Sequence, residues 1–186
     1  LSYYGMRQLK YNMDNVGLTI IDFEFNDVNG GSISVVVSPS GKECTTKLTA
    51  LLASELEQEL DTVKPWEEFA SRMTDNNHKF VKIVRDLREE GYKVAGLGAS
   101  TKGNVTLQTW GITPNDILAI GDVNPDKDGA FAPGTWIPIR NEDEVLAYYD
   151  AFVILPWHFK KFFVNNEKFK GKKLIFPLPT PEVVVP

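Results

Sequence analysis

The stretch Val94–Val105, VAGLGASTKGNV, brings together the residue types that bind an anion. Gly98 permits a sharp turn from a strand into a helix, and Ser100 or Thr101 could cap that helix. The backbone N–H groups at a helix start carry partial positive charge, and Lys102 adds a full positive charge beside them. The sequence therefore predicts a phosphate-binding turn here.

The stretch matches neither common nucleotide-binding pattern. The dinucleotide fingerprint G-x-G-x-x-G needs a third glycine at Thr101, whereas the next glycine is Gly103. Gly98 and Gly103 have the Walker A spacing, but Asn104 and Val105 follow instead of lysine and serine or threonine. A glycine turn that serves only helix–strand packing thus remains an alternative. We expect Gly98 also to admit phosphate close to the backbone, so that Gly98→Ala would weaken nucleotide binding more than it destabilises the fold.

Polar residues also follow other predicted strands. Asp122 ends ILAIGD, where dinucleotide-binding folds place a carboxylate against a ribose hydroxyl. Asn124 and Lys127 lie in the turn-rich VNPDKDGAFAPGTWIPI, where ligand contact and simple turn formation both remain open. His158, in LPWHF, is expected to contact the ligand from the end of a further strand. Spacing reveals no carboxylate pair, nucleophile–base pair or metal cluster, so we predict neither a catalytic residue nor a metal site.

The elements that must position these residues alternate between strand and helix after Gly91. Short apolar strands are predicted at 93–97, 117–121, 151–155 and 173–176, and helices at 101–110, 142–148 and 159–169. This alternation predicts an α/β fold, a Rossmann-like three-layer domain with a mainly parallel sheet. Ligands bind such sheets beyond the carboxyl ends of the strands, where the strand order reverses. The proline-rich FPLPTPEVVVP is expected to be an extended tail or an edge strand.

An opening helix and an antiparallel hairpin are predicted before this core. The helix over 3–15 is closed by Gly17, and NGG separates the strands LTIIDFEFN and SISVVVS. In the first strand, Ile21, Phe23 and Phe25 alternate with the side chains of the other face.

Two helices are predicted next, one over 45–60 and one from Pro65 to Gly91. The apolar stripe of the second helix is expected to pack into the core; its members are Trp66, Phe69, Met73, Phe80, Ile83, Val84 and Leu87. We expect one domain, with the opening helix and hairpin in 1–40, the helical pair in 45–91 and the Rossmann-like core in 92–186.

Composition excludes several classes of function. The 186 residues carry a net charge of −5 with scattered basic residues, which argues against a nucleic-acid partner. Apolar runs are too short to span a membrane, and no secretory leader pattern opens the chain. Cys44 is the only cysteine, so neither an internal disulfide nor a zinc cluster is expected. These features predict a cytoplasmic protein, and the start at Leu1 suggests a piece of a longer polypeptide.

Several of these segments together resemble one known family. GLGASTKGNVTLQTWGI, DVNPDKDGAFAPGTWIPI, LPWHF and GKKLIFPLP resemble the C-terminal domain of the S-adenosylmethionine-dependent sugar C-methyltransferases, which act on deoxysugar nucleotides. DVNGGSISV and LSYYGMRQL resemble that family's hairpin and preceding helix, so that the resemblance covers essentially the whole chain. It implies a domain that binds a nucleotide-diphosphate sugar and positions a keto-deoxysugar for methyl transfer to carbon.

The same resemblance implies that parts of the complete enzyme lie outside this chain. The family has an N-terminal zinc-binding region with cysteine pairs and a middle domain that binds the methyl donor, and neither motif occurs here. The family's Tyr–x–Glu–His catalytic stretch precedes the segment that matches LSYYGM. The resemblance thus implies an upstream methyltransferase domain as partner and S-adenosylmethionine bound outside this chain. It also implies no cofactor within the chain and no activity of the chain alone.

The resemblance also assigns roles to the site. It places the turn 98–104 at the diphosphate, with Asp122, Asn124 and Lys127 on the ligand side. Asn29 stands where some members have histidine, which puts a proton-transfer role of that loop in doubt. The substrate-binding residues expected in all are Gly96, Gly98, Ala99, Ser100, Thr101, Lys102, Gly103, Asn104, Asp122, Asn124, Lys127, His158 and Asn29.

Two other functions remain open from the sequence. One is a stand-alone module that binds a nucleotide or coenzyme A without catalysis. The other is an interaction domain whose glycine turn is purely structural.

Overall fold

The protein is described by a computed structural model that covers residues 4–186, apart from the Asn29 side chain. It divides into two compact units, here called unit 1 (Leu1–Arg72) and unit 2 (Met73–Pro186). No helix within the described residues is long and apolar enough to cross a membrane.

Unit 1 contains the predicted opening helix and hairpin. Its elements are α1 (Met6–Asn15), β1 (Thr19–Asn26), β2 (Ser32–Ser38), α2 (Thr45–Glu57) and the first part of α3 (Lys64–Glu89). The predicted start of α1 at residue 3 lies outside the described residues. Gly17, at φ +73°, ends α1, and the N–H of Leu18 donates to the Met13 carbonyl at 2.9 Å. This is the Schellman arrangement, which confirms the predicted cap.

The hairpin departs from simple alternation. β1 pairs with β2 in antiparallel register, with an irregularity between Ile20 and Asp22. A bulge changes which side chains share a face. Ile20 and Phe23 are consequently buried together, whereas Phe25 is 68% exposed. The predicted common face was therefore wrong for Ile21, whereas Phe23 and Phe25 share a face, with their ring centroids 6.3 Å apart.

Unit 2 is built on a six-stranded sheet, as the alternation of strands and helices predicted. After α3 come β3 (Val94–Leu97), α4 (Thr101–Thr109), β4 (Ile120–Asp122), β5 (Ile139–Asn141), α5 (Glu142–Tyr148), β6 (Ala151–Ile154), α6 (Lys160–Asn165), β7 (Lys173–Phe176) and β8 (Glu182–Val184). β5 was not predicted, because its three residues include two exposed polar ones and show no strand pattern. β8 is the edge strand expected in the proline-rich tail.

The strand order fixes where a ligand would bind. The order is β5-β4-β3-β6-β7-β8, with β8 antiparallel to β7 and the other neighbours parallel. The chain moves outward from β3 through β4 to β5, then returns to the other side of β3 as β6. The carboxyl ends of β3 and β6 therefore flank the switch point of the sheet, the usual ligand site of such folds.

Alternate residues of the buried strands pack into two apolar layers. Val94 and Val153 contribute to the layer that contains α3 and α4 residues, including Phe80 and Leu107. Ala95, Phe152 and Leu174 contribute to the layer that contains α5 and α6 residues, including Val145 and Phe163. Helices thus cover both faces of the sheet, which confirms the three-layer arrangement.

Helix α3 has a buried and an exposed part. Phe80, Val84 and Leu87 are buried in unit 2, as the apolar stripe predicted. Trp66 and Phe69, which belong to unit 1, are 44% and 46% exposed. The expectation that these two aromatic residues lie in a core was wrong.

A pair of matched substitutions tests this difference within one helix. We expect Phe80→Ala to lower the free energy of unfolding of unit 2 by about 3–5 kcal/mol, since it empties a fully buried site. Phe69→Ala should cost within about 0.5 kcal/mol, the usual effect at an exposed position. Urea unfolding followed by circular dichroism measures both. Equal losses in the two variants would contradict the assignment of the buried layer.

Candidate functional site

The glycine turn lies at the switch point, between the end of β3 and the start of α4. Gly98 has φ +78°, and a Cβ added there would lie 2.8 Å from Pro156 Cδ. A Cβ at Gly103 would lie 2.6 Å from Leu155 Cβ. Both glycines therefore let the turn and the first turn of α4 approach the segment that follows β6. Sequence reasoning missed Leu155 and Pro156, although the proline directly after a strand was a signal.

This geometry changes the expected role of Gly98. Its missing side chain leaves room for Pro156, whereas the sequence suggested room for phosphate. Its left-handed φ adds a second cost for any other residue. The contact with Pro156 adds a cost in stability that the sequence did not predict, and the effect of Gly98→Ala on nucleotide binding stays a prediction. Gly96, within β3, is likewise a packing position, with Ile120 Cγ1 3.1 Å from an added Cβ.

Ser100 caps α4, as one of the two predicted alternatives. Its backbone is extended, at φ −98° and ψ 156°, and its side chain accepts a hydrogen bond from the N–H of Gly103 at 3.1 Å. Thr101 is the first residue of the helix and is exposed. The N-terminus of a helix of nine residues is thus held at the carboxyl edge of the sheet.

Asp122, at the end of β4, is hydrogen-bonded to this turn. Its Oδ2 accepts hydrogen bonds from the N–H of Ala99 at 2.7 Å and from Lys127 Nζ at 2.9 Å. Its Oδ1 accepts from the N–H of Asn124 at 2.9 Å. Lys127 Nζ also donates to the Ala99 carbonyl at 3.0 Å. The backbone N–H and the backbone carbonyl of Ala99 are therefore both hydrogen-bonded. We call these contacts the Asp122 clamp.

The clamp gives Asp122 a positioning role. The side chain is 7% exposed, and burial alone would raise its pKa. The N–H of Asn124, the Lys127 ammonium and the N–H of Ala99 outweigh burial and hold the pKa of this carboxyl below its usual value. A carboxylate has about four lone-pair sites, of which three are used here. Contact of Asp122 with a ribose hydroxyl stays a prediction.

Asn124 and Lys127 differ in what they do. Asn124 is exposed, and its side-chain oxygen accepts from the N–H of Asp126 at 3.0 Å, which makes a local turn. Lys127 is part of the Asp122 clamp. Of the two roles left open, turn formation is what the structure shows for Asn124.

His158 stands beside the turn, in the short 3₁₀ segment after β6. The pKa of this histidine is lowered, first by burial and then by the positive charge of Lys102. Its Nδ1 is buried and has no hydrogen-bond partner among the described residues. The Oδ1 of Asn104, in the first turn of α4, is also buried and unpartnered within the described residues. Such atoms are uncommon in native proteins and call for an explanation.

Most of the residues expected in the site lie together. Gly96, the turn 98–104, Asp122, Lys127 and His158 all belong to one edge of the sheet. Asn29 lies in unit 1, and its side chain is outside the described residues. The described residues contain no group of three or more His, Cys, Asp or Glu side chains suited to a metal ion.

Comparing Gly98→Ala with a control glycine separates the cost of the contact with Pro156 from the cost of the left-handed backbone. We expect it to destabilise unit 2 by more than Gly111→Ala, because a Cβ at Gly111 (φ +64°) meets nothing within 4 Å. The control should lose about 1–2 kcal/mol for its left-handed φ, and Gly98→Ala should lose clearly more. Thermal unfolding of both variants provides the comparison. Equal losses of stability in the two variants would show that the chain accommodates the added Cβ beside Pro156 at no cost.

The Asp122 clamp predicts a pH-dependent stability. Because the pKa of Asp122 is lower in the folded chain, its contribution is present above the unfolded value of about 3.9 and is lost as pH falls through the folded value. Asp122→Asn should cost about 1–3 kcal/mol at neutral pH, and the difference from wild type should shrink in acid. Unfolding measured at several pH values tests this.

Asp86→Asn is the matched control, since Asp86 pairs with Lys82 on the surface, where both side chains are exposed. Such exposed pairs contribute little to stability. A difference between Asp122→Asn and wild type that stayed constant with pH would count against the clamp.

Comparison with known proteins agrees with the resemblance. The family model for the C-methyltransferase C-terminal domain matches residues 27–179. C-methyltransferase NovU of Streptomyces niveus is 30% identical over 189 residues, a match that covers 98% of this chain and 45% of that protein. The chain thus spans somewhat less than half the length of this relative. Since the family model matches most of the residues, the chain belongs to the C-methyltransferase C-terminal domain family.

Proposed function

We propose that this chain is the substrate-holding domain of a sugar C-methyltransferase. It binds the diphosphate of a nucleotide sugar at the carboxyl edge of its sheet, with the N-terminus of α4 directed at the phosphates. S-adenosylmethionine and the catalytic base belong to the preceding part of the complete enzyme. The chain alone then neither binds the methyl donor nor transfers methyl.

The observation that carries this proposal is the position of the α4 N-terminus at the switch point between β3 and β6. Helix N-termini bind phosphate through backbone N–H groups and the helix dipole. Lys102, in the first turn of α4, adds a positive charge whose influence reaches His158. These groups favour an anion over a neutral ligand.

The unpartnered polar atoms support the same proposal. Asn104 Oδ1 and His158 Nδ1 are buried and without hydrogen-bond partners among the described residues. A sugar hydroxyl can donate to either atom, and a phosphate oxygen can accept from the neutral His158 ring in the tautomer that carries its proton on Nδ1. A ligand that combines phosphates with hydroxyl groups therefore matches the site better than a simple anion does.

In the proposed reaction, a base removes the proton alpha to the keto group of the sugar, and the resulting enolate attacks the donor methyl group. This chain contributes by fixing the nucleotide end of the substrate. A substrate held at one end presents its reacting carbon in a restricted range of positions, which lowers the entropic part of the barrier. The Asp122 clamp contributes indirectly, since it sets the position of the turn.

Binding of a nucleoside diphosphate to the 186-residue chain tests the proposal. We expect uridine or thymidine diphosphate to raise the melting temperature, as does any ligand that binds only the folded state. Lys102→Ala should weaken binding by about 1–3 kcal/mol, the usual effect of losing a hydrogen bond to a charged group. Calorimetry gives the affinities of both proteins.

Lys161→Ala is the matched control, because Lys161 is an exposed lysine of α6 in the same unit. It should bind the nucleotide as wild type does. Equal loss of affinity in both variants would indicate general attraction to positive charge. No binding by wild type, or micromolar binding of S-adenosylmethionine, would refute the proposed division of roles.

A further inference from the structure

We propose that unit 1 carries the docking surface for the preceding part of the methyltransferase polypeptide. The surface is a groove lined by Arg7, Tyr11, Leu56, Leu60, Val63 and Trp66, here called the α1–α2 groove. The inference rests on the proposed division of the enzyme into two parts. It does not depend on the nucleotide site, so each can fail without the other.

The α1–α2 groove is large and open. It consists of two adjoining hollows of about 410 and 880 Å³, which share Arg7, Gln8, Leu60 and Asp61. It follows α1, the end of α2 and the segment that leads into α3. A groove of this size can accept several side chains of a partner.

Its walls expose apolar side chains that a solvated surface does not need. Tyr11, Leu56 and Val63 are each about two-thirds exposed, at 67%, 65% and 68%. Trp66, which lines the groove, belongs to an apolar stripe with helical spacing, yet it is 44% exposed. Contiguous exposed apolar residues of this kind mark interaction surfaces. Since large aromatic residues are enriched in protein interfaces, their presence favours a protein partner.

Hydrogen bonds join the two helices that line the groove. Glu55, on α2, accepts hydrogen bonds from the N–H groups of Met6 and Arg7 at 2.6 and 3.2 Å. Its carboxylate thus holds the N-terminus of α1 against α2. Arg7 Nη1 also contacts Asp61 Oδ2 at 2.7 Å, an exposed ion pair that contributes little to stability.

The extent of the family match supports one occupant, the preceding part of the polypeptide. The matched region begins at residue 27, so α1 and all of β1 lie before it. Even so, Met6 and Ile20 share one buried cluster with Leu48 of α2, which lies inside the match. Unit 1 is therefore built from residues on both sides of the family boundary. A surface at that boundary is suited to the part of a C-methyltransferase that precedes its C-terminal domain.

The length of the relative supports the same occupant. More than half of the Streptomyces niveus protein lies outside the match, because the match covers 45% of it. Domains of one polypeptide meet through surfaces that resemble transient protein interfaces, with apolar and charged groups mixed. The apolar walls and the Arg7–Asp61 pair of the α1–α2 groove have this mixture.

A fusion protein tests the inference. The 186-residue chain would replace the matched part of the Streptomyces niveus protein, behind that protein's own preceding part. Hydrogen exchange followed by mass spectrometry would compare peptides over 7–11 and 52–66 in the fusion and in the isolated chain. We expect exchange in these peptides to slow by about tenfold or more in the fusion, since docking must open before exchange.

Two substitutions on α2 provide the control. Leu56→Glu places a charge in the groove and should abolish the slowing, whereas Ala50→Glu places one on an exposed position of α2 outside it. Both should leave the melting temperature of the isolated chain close to that of wild type. If Leu56→Glu does not fold, Val63→Glu serves instead.

Three outcomes would overturn the inference. The first is equal exchange in the fusion and the isolated chain. The second is slowing that survives both Leu56→Glu and Val63→Glu. The third is a dimer of the isolated chain, seen by analytical ultracentrifugation, that Leu56→Glu dissociates, because the occupant would then be a second copy. Nucleotide affinity of the isolated chain should be unchanged by Leu56→Glu.

Discussion

The hydrogen bonds of Asp122 and Lys127 to Ala99 position the turn at the candidate site. One buried carboxylate accepts the N–H of Ala99, and the lysine that neutralises it takes the carbonyl of the same residue. Both backbone polar groups of Ala99 are satisfied by β4 and the loop after it, so rotation of the turn would break two hydrogen bonds, one of them to a buried carboxylate. The start of α4, and whatever it binds, therefore depends on a side chain from the neighbouring strand.

Close packing against the segment after β6 also positions the turn. Gly98 and Gly103 bring the turn and α4 against Pro156 and Leu155, which brings the segment after β6 beside the helix start. His158 follows directly in that segment, near enough for Lys102 to lower its pKa. The glycines thus act on the ligand site through the approach of two elements. Like Asp122, they set the position of the turn.

The two units of the chain suit two different tasks. Unit 2 carries a switch point with anion-binding chemistry, as expected of a domain that holds a substrate. Unit 1 carries exposed apolar side chains in the α1–α2 groove and is assembled across the boundary of the family match. An enzyme that divides substrate and methyl donor between domains needs both, because the reacting carbon must meet a donor held elsewhere.

The sequence by itself determined the local structure and the family. Strand and helix alternation predicted the three-layer sheet, Gly17 predicted the end of α1, and Ser100 was one of two predicted caps, because spacing and backbone preference are local properties. Only the tertiary structure decided which neighbour each residue meets. The bulge in β1 brings Ile20 and Phe23 into one buried cluster, Gly98 makes room for Pro156, and Asp122 binds a turn more than twenty residues away. Those outcomes depend on contacts between segments that are distant in the sequence and that the strand order brings together. A local sequence pattern does not specify which distant segments meet.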